Sequence, residues 1–309
     1  MIPTLLLVTI VVFLMVRLIP GDAIQQMALE MGQTAAGEQL DFEAIKEMMG
    51  MNEPMHVQYG KWMWGIFTRF DFGNSLFTER PVINEIVSRI PVTFELGVLA
   101  FFISQVMAIP IGLYSAIRQD TVGDLLGRTF AILNLATPAF WLATMIMVFP
   151  SIWWGWSPPM RYTPFLEDPM ANLRQFIIPA ALMGTAMSAT TMRMLRTTML
   201  EVLRQDYVRT AWSKGLKERI VVVRHAMRNA LIPVITMISG QVPIMIGGAV
   251  IMEQIFNLPG MGRLFLDAIN RRDYPFVSGI NVLLAAFGLV LILITDLTYA
   301  WLDPRVRYR

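Results

Sequence analysis

Long apolar runs separated by short polar stretches dominate the chain. About 20 predominantly apolar residues cross a bilayer core. Six runs of that kind lie near 1–19, 92–117, 129–150, 176–199, 231–252 and 277–302. Several hold glycine or proline, as in Pro110-Ile111-Gly112 and Gly247-Gly248. Membrane helices tolerate both residues, because neighbouring groups satisfy the freed backbone atoms. Small residues also let helices approach closely. The pattern predicts an all-α membrane protein with six transmembrane helices. The first run lacks the basic start and small-x-small cleavage site of a signal peptide. It is therefore read as span one, with Arg17 near its outer end snorkelling to the headgroups.

Composition agrees with this class. The 309 residues are 55% hydrophobic and 16% charged, with a mean hydropathy of +0.53. The net charge of +2 decides little, but its distribution sets an orientation. Residues 193–230 carry nine Lys/Arg against three Asp/Glu, whereas 20–91 carry five against ten. The 193–230 loop is thus expected in the cytoplasm, and six spans then put both termini there. Arg118 and Arg128 in the loop 118–128 agree, as do Arg305, Arg307 and Arg309 in the tail. Arg271 and Arg272 oppose the assignment and are outnumbered.

Three segments are expected outside. Residues 20–91 form the largest, with a polar, helix-like part over 22–60. Residues 151–175 are rich in Trp and Pro and suit the membrane interface. Residues 253–276 contain the turn Leu258-Pro259-Gly260.

Bond chemistry finds little support. There is no cysteine and no G-x-x-x-x-G-K-[ST] phosphate loop, so any ATP used belongs to another chain. The two histidines, His56 and His225, have no partners at metal-ligand spacing and read as surface or packing residues. The 24 methionines read as adaptable packing. Glu95, Glu253 and Asp296 lie near span ends, where solvation explains them. An ion-coupled secondary transporter would hold such acids nearer the midplane, often at broken helices. Asn134, Thr137 and Gln241 read as polar contacts between helices.

The most informative stretch is Asp206 to Pro233, DYVRTAWSKGLKERIVVVRHAMRNALIP. Ala211 and Gly215 are four apart and are expected on one helical face, where small residues permit close approach. Lys214 and Lys217 can point toward acidic groups or lipid phosphates. Gly215 offers a helix stop. A short helix, a turn and a second helix leading into span five fit this pattern. Charge alone leaves two readings open: a docking surface for a soluble partner, or a solvated loop that fixes topology.

This segment resembles the cytoplasmic coupling (EAA) loop of binding-protein-dependent ABC transporter permeases. Arg209-Thr210-Ala211, three residues, Gly215, and then Leu231-Ile232-Pro233 follow that element. Arg209 in place of Glu and the long gap to Pro233 match the oligopeptide/dipeptide subfamily, while Trp212 is a less usual occupant. Further resemblances run along nearly the whole chain: Arg17-Leu-Ile-Pro-Gly-Asp22, Gln58-Tyr59, Phe72-Gly73-Asn74-Ser75 and Pro91-Val-Thr-Phe-Glu-Leu96. Phe256-Asn-Leu-Pro-Gly-Met-Gly-Arg263, Arg272-Asp-Tyr-Pro275 and Asp303-Pro304-Arg305 complete the set. The long outer segment resembles that of the first of two permease subunits.

The resemblance implies a single permease domain over 1–309. It comprises a first span 1–19, an extracytoplasmic segment 20–91, a five-span core 92–302 with coupling loop 200–230, and a cytoplasmic tail 303–309. It implies a second homologous permease subunit, two ABC ATPases that bind ATP and Mg, an extracytoplasmic substrate-binding protein and the lipid membrane, with no nucleic acid and no cofactor in this chain. Coupling to the ATPases is expected through Tyr207, Arg209, Thr210, Ala211, Lys214, Gly215, Lys217 and Pro233. The implied cargo is di- or oligopeptide, with nickel chelates, glutathione or oligosaccharides as alternatives. Residues lining the path cannot be read from the sequence.

Overall fold

The computed structural model describes residues 2–18 and 53–302, and among these the regular elements are helices, with one isolated antiparallel bridge between Asn74 and Pro81. Three helices are long and apolar enough to cross a membrane, or four if one bent pair counts as a span. The first residues, 22–52 of the polar helix-like segment, and the tail motif with Arg305, Arg307 and Arg309 lie outside the described residues. So does the stretch Ile19–Asp22 that follows Arg17. Contacts divide the chain into two compact units, one of Met1–Pro91 with Pro259–Val290, the other of Val92–Leu258 with Leu291–Arg309.

In the first unit, α1 (Ile2–Leu18) is apolar and packs on α2 (Met55–Arg69). Thr9 and Phe13 meet Tyr59, and Phe13 also meets Trp62. Arg17 stands over the Phe13 ring at 3.6 Å and donates to Gln58 Oε1 at 2.9 Å. The opposite side of α1, with Leu7, Ile10, Val11, Leu14 and Met15, is exposed, as suits a lipid-facing surface. The unit's core gathers Ile66, Phe72, Val82, Ile86, Leu264, Phe276 and Ile280. These come from α2, the start of α3 (Val82–Ile117), α9 (Met261–Arg271) and α10 (Tyr274–Leu302).

Two sequence elements nearly 200 residues apart meet in this core. Gly73 takes φ +84° and Ser75 Oγ donates to Asp273 Oδ2 at 2.6 Å. Ser75 Oγ also accepts from the N–H groups of Phe77 and Thr78. The Phe72–Ser75 turn is thereby fixed to the Arg272–Pro275 element.

In the second unit, α3 from Val92 onward lies beside α6 (Pro169–Leu203). A Cβ on Gly184 would come within 2.7 Å of the Ala100 carbonyl oxygen, and one on Gly112 within 2.9 Å of the Met192 carbonyl oxygen. The pairing 100 with 184 and 112 with 192 makes α3 and α6 parallel. The chain between them must therefore return to its starting side.

That return is a broken span. Residues 129–150 were expected as one helix; instead α4 (Val122–Ala136) and α5 (Ala139–Trp154) meet at a bend of 88°. Pro138 is the cause: it disfavours a helical conformation at Thr137 and cannot donate into the α4 ladder.

A short helix α7 (Asp206–Ser213) follows α6. Helical structure resumes at Glu218–Ile220, widens through a π-helical stretch Val221–Ala226, and continues as α8 (Met227–Ile255). Met183 lies against Gly248 and Thr191 against Gln241, so α8 runs antiparallel to α6.

Candidate functional site

The basic loop is ordered from its own sequence upward. Helix α7 opens at Gln205 and places Asp206 in its first turn, where a negative charge suits the helix dipole. Thr210 and Ser213 turn their hydroxyls back to the carbonyls of Asp206 and Arg209. The helix stops at Lys214, and Gly215 takes φ +73°, the left-handed conformation that favours glycine. Lys217 then precedes the next helical turn.

Val208 and Ala211 are buried against Val221, Leu216, Val202 and Leu203 of the same chain. The small side chain at 211 thus lets α7 sit close to its own scaffold. The expectation that Ala211 and Gly215 share a face is corrected: the helix has ended by Ser213, and Ala211 is buried while Gly215 is exposed. Four-residue spacing aligns residues only while helical turns continue. A Cβ added at Gly215 would meet nothing within 4 Å.

The outward surface is made by Tyr207, Arg209, Thr210, Trp212, Lys214 and Lys217. Asn229 donates to the Tyr207 hydroxyl at 2.7 Å, which ties α7 to α8. Arg209 is exposed and 3.7 Å from Asp206, a weak restraint in water. Pro233 is exposed within α8, away from the α7 turn in sequence. Arg118 at the end of α3 approaches Glu218 at 3.5 Å.

The sequence reading missed a buried ion pair behind this region. Asp124 has no exposed surface and receives Arg196 Nε at 2.8 Å and Nη2 at 2.9 Å. The Asp120 N–H donates to the same carboxylate at 3.0 Å. This fork fastens the first turn of α4 to the last third of α6. Asp124 and Arg196 lie 72 residues apart, and no local signal joins them.

The intramembrane acids are placed differently from one another. The expectation that solvation explains Glu253 is corrected: it is fully buried and accepts from Thr93 Oγ1 at 2.5 Å. Glu95 accepts from Asn172 Nδ2 at 3.3 Å. The side chain of Asp296 lies outside the described residues. Among the described residues no group of three or more His, Cys, Asp or Glu is placed to hold a metal ion.

The second unit also contains a cavity of about 660 Å³ between α5, α6 and α8. Five methionines line it: Met183, Met187, Met237, Met245 and Met252. Gln241 joins them, donating at 3.5 Å to Thr191 Oγ1. Gln241 thus makes the helix contact expected of it, whereas Asn134 bonds only within α4, to Phe130. Thr137 caps the end of α4 at the bend.

Comparison with known proteins agrees with the resemblance carried by the motifs. Residues 108–308 match the family described as binding-protein-dependent transport system inner membrane component. Residues 1–97 match its N-terminal companion family. A Brucella abortus (strain 2308) protein provisionally named a peptide transport system permease is 41% identical over 308 residues, covering 99% of this chain and 96% of that protein. The glutathione transport system permease GsiC of Pectobacterium atrosepticum is 36% identical over 313 residues, covering 100% and 96%. In fold, the chain is similar to an inward-facing MetNI methionine ABC transporter chain, with a TM-score of 0.56 at 14% identity, over 72% of this chain and 97% of that one. A chain of an amino acid ABC transporter gives 0.54 at 14% identity, over 72% and 95%. The chain belongs to the binding-protein-dependent transport system inner membrane components, the non-catalytic membrane-spanning permease subunits of ABC importers.

Proposed function

We propose that this chain forms half of the translocation path of an ATP-driven importer of di- and oligopeptides. The observation that carries the coupling part is the two-sided build of α7. Its buried side, Val208 and Ala211, holds it to the scaffold, while Tyr207, Arg209, Thr210, Trp212, Lys214 and Lys217 are left outward. That surface docks on an ATPase subunit, and Gly215 sets the turn that presents it. The path alternates between inward-open and outward-open states. ATP and ligand drive it only through their different affinities for those states.

The complete importer contains a second homologous permease, two ATPases that bind ATP and Mg, and an extracytoplasmic binding protein received by the acidic segment 20–91. The chain sits in the cell's inner membrane with both termini in the cytoplasm. Ion-coupled transport, the competing expectation, is set aside by family membership. Glutathione is the second cargo reading, favoured by the 36% identical relative of that name.

The test is to tag this chain in its native host, extract it in mild detergent and identify what copurifies. Recovery of a related permease and Walker-motif ATPases is expected, together with a binding protein whose ligand can then be screened. A chain that emerges alone and stable would overturn the coupling assignment. A binding protein that holds glutathione and rejects other peptides would decide for the second cargo.

A further inference from the structure

The stretch Glu218–Arg228 leads into α8 and has two unlike sides. Val221, Val222 and Ala226 are buried, and Val221 packs with Val208 and Ala211 of α7. Arg219, Ile220, Val223, Arg224 and Arg228 are exposed. Residues four apart share a helical face, and π-helical spacing over Val221–Ala226 brings in residues five apart as well. Ile220, Arg224 and Arg228 thus form one stripe, with Arg219 and Val223 beside it. Ile220 and Val223 keep 40% and 46% of their surface open. Among the described residues no carboxylate pairs with Arg219, Arg224 or Arg228, and the adjoining Glu218 is already paired with Arg118.

This face lies at one end of a span, since Glu218–Val242 is long and apolar enough to cross a membrane. Helical structure from Glu218 to Ile255 is unbroken and rises about 55 Å, against about 30 Å for a hydrocarbon core. Its first turns therefore stand at headgroup level. Water there would leave Ile220 and Val223 bare. An acidic protein surface would pair the arginines but set its charges against the two aliphatic side chains. An anionic phospholipid meets both needs. Its phosphate oxygens accept the forked N–H groups of arginine, while the arginine stems, Ile220 and Val223 lie along its acyl chains.

We propose that the face made by Arg219, Ile220, Val223, Arg224 and Arg228 is a binding site for anionic phospholipid headgroups. The bound lipid steadies a stretch whose opposite side packs against α7. The site is independent of the cargo.

The test uses the whole importer in phosphatidylcholine vesicles, with the partner subunits' own cysteines replaced by serine. This chain has no cysteine, so a bimane fluorophore attached through Val223→Cys reports that position alone. Brominated phosphatidylglycerol or brominated phosphatidylcholine is then titrated in as a quencher. Half quenching is expected at a mole fraction about tenfold lower for phosphatidylglycerol, with the preference shrinking as salt is added. Arg224→Gln and Arg228→Gln, each in the labelled chain, are expected to lower that preference about fivefold, the worth of one arginine near a charged membrane surface. Arg224→Lys keeps the charge and is expected to keep most of the preference. Should the label at 223 prevent assembly, Ile220→Cys carries it instead. Equal quenching by the two lipids overturns the site, as does a preference that both glutamine variants leave unchanged. Quenching by neither lipid, in an importer that still hydrolyses ATP, gives the face to a protein partner and overturns the site as well. The family assignment stands under each of these outcomes.

Discussion

The Asp124–Arg196 fork offers a sharp test of how the second unit is held together. Asp124 is fully enclosed and Arg196 is 18% exposed, so the pair is shielded from water on one side and touches it on the other. Two short charge-assisted bonds in a parallel fork are the strong form of this interaction. Breaking a fully buried pair costs about 3–5 kcal/mol, because a charge is left without its partner. The partial exposure of Arg196 lowers this to about 2–3 kcal/mol. Asp124→Asn keeps the size and the bond from the Asp120 N–H but removes the anion. Arg196→Met keeps the packing stem and removes the cation. Asp124→Asn is expected to lose about 2–3 kcal/mol and Arg196→Met less, because Arg128 stays 3.5 Å from the Asp124 carboxylate; the double variant loses little more than Asp124→Asn, a coupling of about 1–2 kcal/mol. The assay is a double-mutant cycle on the detergent-solubilised complex, unfolded by titration and followed by intrinsic fluorescence. Single effects that add to the double effect within about 0.5 kcal/mol would show that the fork contributes nothing specific, and the argument from its geometry would fail.

Three further outcomes are expected. Gly215→Trp, with open space around it but a left-handed backbone, should leave membrane insertion intact and abolish uptake, and normal uptake at normal expression would refute the coupling role. Gly184→Ala should destabilise the solubilised protein by about 1–3 kcal/mol, the cost of overpacking, since its Cβ would meet the Ala100 carbonyl, whereas Gly288→Ala meets nothing within 4 Å; equal melting temperatures would refute it. Burial pushes the Asp273 carboxyl up, against the opposing bonds from Ser75 and from the N–H groups of Leu76 and Phe276. The folded state therefore holds a proton that the unfolded state has released. Stability should fall as pH rises from the ordinary aspartate value to the raised one and stay flat above it, and Asp273→Asn should flatten that slope. Asp273→Asn keeps a single acceptor oxygen, so it can hold the Ser75 hydroxyl or the Leu76 N–H but not both.

Local signals reached further than long-range ones. The apolar runs located the helices because hydropathy is a property of each segment alone. Gly215 announced its turn because glycine is the residue that adopts a positive φ without strain. The break at Pro138 had its signal too, a proline inside an apolar run, but tolerance of proline in membrane helices hid it. The burial of Ala211 was not legible, since which side of α7 faces the chain depends on Val221 and Leu216 arriving from beyond the turn. Ser75 and Asp273 each stood in a noted motif, yet their bond required the two motifs to be brought together by the core. The methionine cavity had no sequence signal at all, because its residues are gathered from three helices and each reads as ordinary packing.

The close approach of α3 and α6 limits how the second unit can move. Their backbones touch at two places, Ala100 against Gly184 and Gly112 against Met192. Two such points, twelve residues apart on α3, act like dowels through a pair of rods. Sliding one helix along the other would drive backbone into backbone at both, so shear is blocked. Rotation about a hinge is the motion that remains. The 88° corner at Pro138 is where the ladder of helical bonds is already interrupted, and it can change angle without breaking any of them.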